Sequence, residues 1–453
     1  MTNKQFNRRD FLKFLGIGAG TFAATPLLQA CSNGAPETAT VIPTQPAPVG
    51  FDWKQFSGED TRFIGAGGGI EDFVESVYPD FVDQTGINFI FENYQQEQGR
   101  QKYRTELQAG QGTVDTWLTS MINEGPQFVA NGWYEPLDSW VSNSELTSPD
   151  FDFGDFLPSV LKGMSLDGVL WALPVNVDFH VVYYRKDIFD EKGVKVPTTL
   201  EEMEEAAKVL NNPPEFYGIA QRGSKGHCVT MFASAFHNFG ADYLDENGNP
   251  TLDSPEALAA YDWWGRVSRE YGPPGGSQMD FSTMTELFSS GRTAMIHDSA
   301  TFMTRAIDPE ISTVSENVGF TAFPAGPQRN TPTIFVNGFP MASTSKNKEA
   351  TWYFMQWITS KDTAVRSYLE GLGQTRSSVI KDPKTQGVLP EDFVQAADFS
   401  LSNGDAFWVP RVLRIPETRD VIGNVVVVAI EGGDVKAAAE QANEELKVLV
   451  DEV

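Results

Sequence analysis

Residues 62–68, RFIGAGG, lead into 70–86, IEDFVESVYPDFVDQTG, then 87–94, INFIFENY, then 100–112, RQKYRTELQAGQG. The first and third stretches are short, apolar and of strand type, whereas the second and fourth space their apolar residues at helical intervals. Strand, helix, strand, helix predicts parallel strands with helices on both faces. The pattern returns after residue 170: WALPVNVDFHVVYYR (171–185) reads as a strand, TTLEEMEEAAKVLNN (198–212) as a helix opened by Thr198 or Thr199, and FYGIAQ (216–221) as another strand. Two α/β lobes are expected, and the length of 453 residues fits, because single cores stop growing at about 250–300 residues.

The composition, 41% hydrophobic with 10 Trp and 32 Phe, is that of a globular protein. A formal net charge of −27 repels phosphate backbones, so nucleic acid is excluded as a partner. The first 30 residues reverse that sign: Lys4, Arg8, Arg9 and Lys13 stand against Asp10 alone, in front of the apolar run FLGIGAGTFAATPLL. A basic front, an apolar middle and small residues before QAC make residues 1–30 an export signal. Arg8 and Arg9 resemble a twin-arginine signal, and Leu28–Cys31 resembles the lipobox of bacterial lipoproteins, in which Cys31 is acylated. Residues 31–57, rich in Pro, Ala and Thr at their start, are expected to form a flexible tether. With Cys31 so used, Cys228 is a lone thiol and reads as a small buried hydrophobe. Beyond the signal no run is long and apolar enough to span a membrane, which makes the lipid the attachment.

Five further stretches occur in order: NGWYEPLD (131–138), DGVLWALPVNVDFHVVYYRKDIFDEKGVKVPTTLEEMEEAAKVL (167–210), FSSGRTAMI (288–296), VNGFPMASTSKNKEATWYFMQWITS (336–360) and GQTRSSV (373–379). Together they resemble the maltose-binding-protein type of solute-binding protein from ABC importers. The stretch beginning AQRGSKGHC (220–228) is similar to the branch that takes sugars and polyols. The resemblance implies a two-lobe periplasmic-binding-protein fold of type II, with a hinged cleft and three interlobe crossings near 175, 295 and 343. Residues 58–175 plus 295–343 would form one lobe and 176–294 plus 344–453 the other. It also implies a monomer that hands its solute to membrane permease subunits, with no cofactor and no catalysis.

A sugar or polyol needs carboxylates, amides or guanidinium groups for its hydroxyls and aromatic rings for any apolar face. By position in the resembled family, the candidates are Asp178, with Asn176 two residues back on the same strand face; Arg222 and His227 in the loop after FYGIAQ; Asp298 after GRTAMIH; and Asn337 with Phe339. Trp117 and Asn123 follow a strand of the first lobe, and Trp408 is a further possible platform. Gly67 and Gly68 would let backbone approach the cleft.

Enzymatic and metal signals are weak. GAGGG (65–69) fails the dinucleotide pattern at Ile70, and the SxxK stretches at Ser343–Lys346 and Ser378–Lys381 lack their companion motifs. DENGNPTLD (245–253) has Pro250 where a calcium loop requires glycine, and the four histidines show no zinc spacing. A secreted glycoside hydrolase, with a carboxylate pair astride the cleft, stands as the enzymatic alternative. A binding protein for a non-sugar polar solute is the other.

Overall fold

The computed structural model describes residues 50–451. Arg8, Arg9 and Cys31, and with them the export signal and the acylation site, lie outside the described residues.

The opening stretch folds as its periodicity requires. Strand β1 (Asp60–Gly65) lies between β2 (Asn88–Asn93) and β3 (Thr116–Trp117), all parallel. Helices Gly69–Thr85 and Gln96–Ala109 connect them, each ended by a left-handed glycine, Gly86 or Gly110, the conformation that glycine adopts without strain. The helix Leu200–Leu210 starts on a full capping box between Thr199 and Glu202.

The expectation of parallel sheets holds for β1–β3 and fails beyond them. Strand β4 (Ala172–Arg185) is 14 residues long and passes from one lobe into the other. Its second half pairs antiparallel with β5 (Met295–Ser299) and β6 (Val318–Ala322), and its first half with β7 (Ile334–Pro340). Strand β7 reaches back to the first sheet through the Thr119–Gly338 bridge. The stretch FYGIAQ makes only single parallel bridges, Tyr217 with Thr293 and Ala220 with Ile296, at the edge of the second sheet.

This topology moves the lobe boundaries. The expected crossings near 295 and 343 do not fall there: β5 and β6 both belong to the sheet of the second lobe, and the chain recrosses in β7. The helix Lys348–Ile358, expected in the second lobe, packs on β1 in the first, with Phe354 centred 4.4 Å from Phe89 and 5.7 Å from Phe339. The chain returns only after Arg376, whose buried guanidinium donates to the carbonyls of Phe151, Asp152 and Thr359. The next long helix, Glu391–Asn403, then packs on β6 through Phe393 and Phe320 at 5.2 Å. Buried apolar periodicity alone does not say which of two cores a helix joins.

The expected tether also ends earlier than residue 57. Phe51 stacks on Tyr353 at 5.2 Å, and Trp53 and Phe56 meet the same ring edge-on at 5.5 and 5.0 Å. These three apolar rings, packed on the helix Lys348–Ile358, fasten the chain to the first lobe before β1 begins.

Candidate functional site

Two groups of polar residues stand at strand ends, one in each lobe. In the first lobe, β1 ends at Gly65 and the chain turns through Gly67 and Gly68, with φ of +69° and +148°. A Cβ on Gly67 would stand 2.9 Å from the carbonyl oxygen of Tyr94, so this turn requires glycine. Two side chains hold it: Asn93 Oδ1 accepts from Gly67 N at 3.0 Å, and Glu71 Oε1 accepts from Ala66 N at 3.3 Å. Beside it opens a cavity of about 680 Å³ lined by Gly67, Gly68, Asn93, Tyr94, Gln95 and Gln96, together with Asp72 and Gln98. Its walls are mostly backbone and carboxamide groups, which donate and accept without net charge.

The second group is charged. Antiparallel register places Ser299 opposite His180 and Asp298 opposite Val181, which brings the end of β5 beside Asp178 on β4. Ser299 Oγ donates to Asp178 Oδ2 at 2.5 Å, and Phe179 N donates to Asp178 Oδ1 at 2.9 Å. Arg222, from the loop after Gln221, meets Asp298 in a fork: Nε to Oδ2 at 2.6 Å and Nη2 to Oδ1 at 2.5 Å. Asp298 is fully buried, whereas the Arg222 side chain retains 16% exposure. The guanidinium carbon lies 5.0 Å from the centre of the Phe281 ring.

Burial pushes the half-buried Asp178 carboxyl up to about 6; the Ser299 hydroxyl opposes that shift and the Asp298 charge adds to it. Asp298 is also raised by burial, with Arg222 pulling it back. A pair of cleft carboxylates acting as acid and base is not what these residues form, because Asp298 has no access to solvent and is tied to a cation.

The structure thus joins Asp178, Arg222 and Asp298. His227 is exposed in the Arg222 loop, and the Asp280 carboxylate is lowered by the backbone and hydroxyl of Thr283, with smaller contributions from His227 and Arg222. Asn176 and Asn337 face each other across β4 and β7, and Asn176 Oδ1 accepts from Gly373 N at 2.7 Å. Asn123 is exposed on the first turn of helix Met121–Ala130, apart from the charged cluster.

The three expected aromatic platforms are corrected to core residues. Trp117 is fully buried between Tyr103 and Tyr134, at 5.6 Å from each ring. Phe339 is fully buried 5.7 Å from Phe63. Trp408 is 2% exposed in the second core, against Phe335. Sequence reasoning missed Ser299, Thr301, Asp280 and Phe281. Ser299 follows Asp298 directly and Thr301, whose Oγ1 lies 2.6 Å from Ser299 Oγ, comes two residues later; that nearness in sequence was the available signal.

Among the described residues no group of three or more His, Cys, Asp or Glu is placed to hold a metal ion, and no helix is long and apolar enough to cross a membrane. Cys228 is buried, and burial pushes its thiol up to about 12. Asp245 accepts from Asn247 N and from both nitrogens of Asn249, which makes the 245–249 loop a self-satisfied turn.

Two lobes, strands crossing between them and polar groups at the strand ends describe a receptor for a small solute. The family model of bacterial extracellular solute-binding proteins matches residues 67–365. The chain belongs to that family. This solute-binding protein is 27% identical, over 414 residues, to the erythritol/L-threitol-binding protein of Mycolicibacterium smegmatis, an overlap covering 87% of this chain and 84% of that one. It is 30% identical over 268 residues to the mannitol-binding protein of Pseudomonas aeruginosa, covering 58% of this chain and 60% of the relative. An ABC transporter solute-binding protein from Agrobacterium radiobacter, solved in complex with ribitol, superposes with a TM-score of 0.72 at 26% identity, over 87% of this chain and 99% of that one. The fold is the type II periplasmic-binding-protein fold, and the solute-binding protein works outside the cytoplasm by capture, without catalysis.

Proposed function

We propose that this solute-binding protein captures an acyclic sugar alcohol between its lobes and delivers it to an ABC importer. The carrying observation is the Asp178–Ser299–Asp298–Arg222 network at the strand crossing, an acceptor and a donor held side by side. A polyol presents a row of hydroxyls, each able to donate to Asp178 and to accept from Arg222. The carboxamides around the first-lobe cavity supply the same neutral chemistry from the other side. An open-chain polyol has no ring face to stack, which agrees with Trp117, Phe339 and Trp408 being committed to the cores. The relatives named for erythritol, L-threitol and mannitol, and the neighbour solved with ribitol, support the same class. Asn176, Asn337 and His227 are the further contacts of this reading. Solute bridging both lobes stabilises the closed form by its differential affinity, and the permease reopens it. Acylation of Cys31 after export through Arg8 and Arg9 would hold the monomer at the membrane.

The test is thermal unfolding against erythritol, ribitol, mannitol, glucose and maltose. A ligand at 100 times its Kd adds about 2.7 kcal/mol of stability. A shift with at least one alditol and recovery of that alditol unchanged is the expected result; a shift with maltose or glucose alone overturns the class. Replacement of Cys31 by serine is expected to release the exported protein into the medium, and retention on the membrane would overturn the anchor.

A further inference from the structure

An arginine beside a ligand site is by default an anion receptor, because its planar fork matches a carboxylate or a phosphate in bidentate fashion. In this chain the Nε–Nη2 edge of that fork is already filled from inside. Arg222 Nε and Nη2 both donate to Asp298, at 2.6 and 2.5 Å. Asp298 is fully buried and cannot itself touch a solute. Its position is set by the β4–β5 register and by Ser299 N, which donates to its Oδ1 at 2.7 Å. Phe281 lies against the guanidinium and limits its swing. These two bonds use two of its five N–H groups; the other three, two on Nη1 and one on Nη2, make no hydrogen bond to another described residue, on a guanidinium whose charge the buried Asp298 already balances.

Among the described residues, the surroundings add no cation at the pair itself. Arg222 and Asp298 are neutral in sum, and Asp178, beside Asp298 through Ser299, is the half-buried carboxylate next to them. A carboxylate next to a balanced pair leaves that point negative, and like charge at a binding surface is a strong device for rejecting a ligand.

We propose that Asp298 is the residue that sets the charge class of the solute: by taking the Nε–Nη2 edge of Arg222 and balancing its charge it makes the site accept a neutral polyol and refuse the same polyol bearing a phosphate or carboxylate. Asp298 acts as a positioning residue, through Arg222, and the inference rests on the polyol reading above. Removing its charge should turn Arg222 outward as an unfilled anion receptor.

The experiment is titration calorimetry of the soluble protein with erythritol, ribitol and mannitol and with the terminal phosphate of each. The wild type is expected to bind an alditol at least 100-fold more tightly than its phosphate. In Asp298→Asn that ratio should fall at least tenfold, phosphate binding should weaken steeply with added salt, and the double variant with Arg222→Gln should lose the gain. A purely structural role for Asp298 would weaken both ligands together and leave the ratio unchanged, which would overturn the proposal. If Asp298→Asn does not fold, the wild type still decides: equal affinity for alditol and phosphate overturns this inference and leaves the polyol reading standing. Binding of the phosphate alone overturns both.

Discussion

Trp117 and Asp178 are both strand residues expected at the cleft, yet one is core and the other belongs to a charged, half-buried network. Trp117 closes β3, next to β1 in a parallel sheet with helices over it, and is held between two tyrosine rings. A parallel strand covered on both faces buries every side chain along its length, so its last residue is still interior. Asp178 lies in the middle of β4, where the strand leaves one sheet and joins another, and there the covering layers part. Position along the path between lobes, more than residue type, decides which polar or aromatic group is left outside the cores.

Substitution by alanine should separate the two residues most sharply. Trp117→Ala removes a fully buried indole and is expected to cost about 3–5 kcal/mol of stability, with solute affinity of the folded fraction unchanged. Asp178→Ala should do the reverse, losing tenfold or more in affinity with a small change in the urea midpoint. Urea unfolding paired with calorimetry checks both, and a Trp117→Ala protein of wild-type stability would break the comparison.

Arg222→Met sharpens it from the charged side. The substitution leaves Asp298 buried without its cation, and breaking such a pair costs about 3–5 kcal/mol when both partners are buried. The 16% exposure of Arg222 places the expectation at or below the lower end, about 2–3 kcal/mol. Because stability and affinity both fall, Arg222 differs from Trp117 and Asp178 alike; loss of affinity alone would mean that Asp298 finds another partner.

How much of this was legible follows from the same physics. The alternation from RFIGAGG to RQKYRTELQAGQG sets β1, β2 and their helices to within a few residues. Asp178, Arg222 and Asp298 could be singled out by their positions in the resembled family. Their mutual contact could not, since it depends on the β4–β5 register between residues more than 100 positions apart. The lobe boundaries failed for a related reason: β7 pairs with the first half of β4, and no local pattern announces a crossing. The rings failed because an aromatic at a strand end looks the same in sequence whether it stacks on Tyr103 or on a solute.

Solute affinity should follow the titration of Asp178. Its folded value of about 6 lies above the ordinary carboxylate value of 3.8, so the free protein takes up a proton as pH falls through 6. A hydroxyl that donates to the ionised carboxylate then loses its acceptor, and affinity should drop about tenfold between pH 7 and pH 5. Asp178→Asn should bind more weakly at pH 7 and show no such drop. Stability behaves differently, because two effects oppose each other. The raised Asp178 value makes the solute-free protein gain stability as pH falls from about 6 toward 4. Buried His180, held down near 3 by desolvation, and His297, held well below its ordinary value by the same cause, stay neutral in the fold while the unfolded chain takes up protons below about 6.5. Each therefore removes stability as pH falls below that point, at about 1.4 kcal/mol per pH unit. Two imidazoles against one carboxylate give a net loss toward acid, and melting temperatures of wild type and His297→Phe between pH 7 and 5 should show a shallower decline in the variant.

The smallest effect is expected in the first-lobe turn, which the Asp178–Arg222 network does not include. Gly67→Ala places a Cβ 2.9 Å from the Tyr94 carbonyl oxygen at a φ of +69°, a strain of about 1–3 kcal/mol because the atom it meets is backbone. Because Gly67 N and Asn93 together shape the rim of the cavity, affinity should weaken by several-fold while the pH dependence set by Asp178 persists with its midpoint unmoved. Calorimetry across pH 5 to 7 separates the two halves of the site: a Gly67→Ala protein whose pH dependence vanished would mean that the turn and the carboxylate act as one unit, and the neutral and charged regions would lose the independence that their construction from separate strands implies.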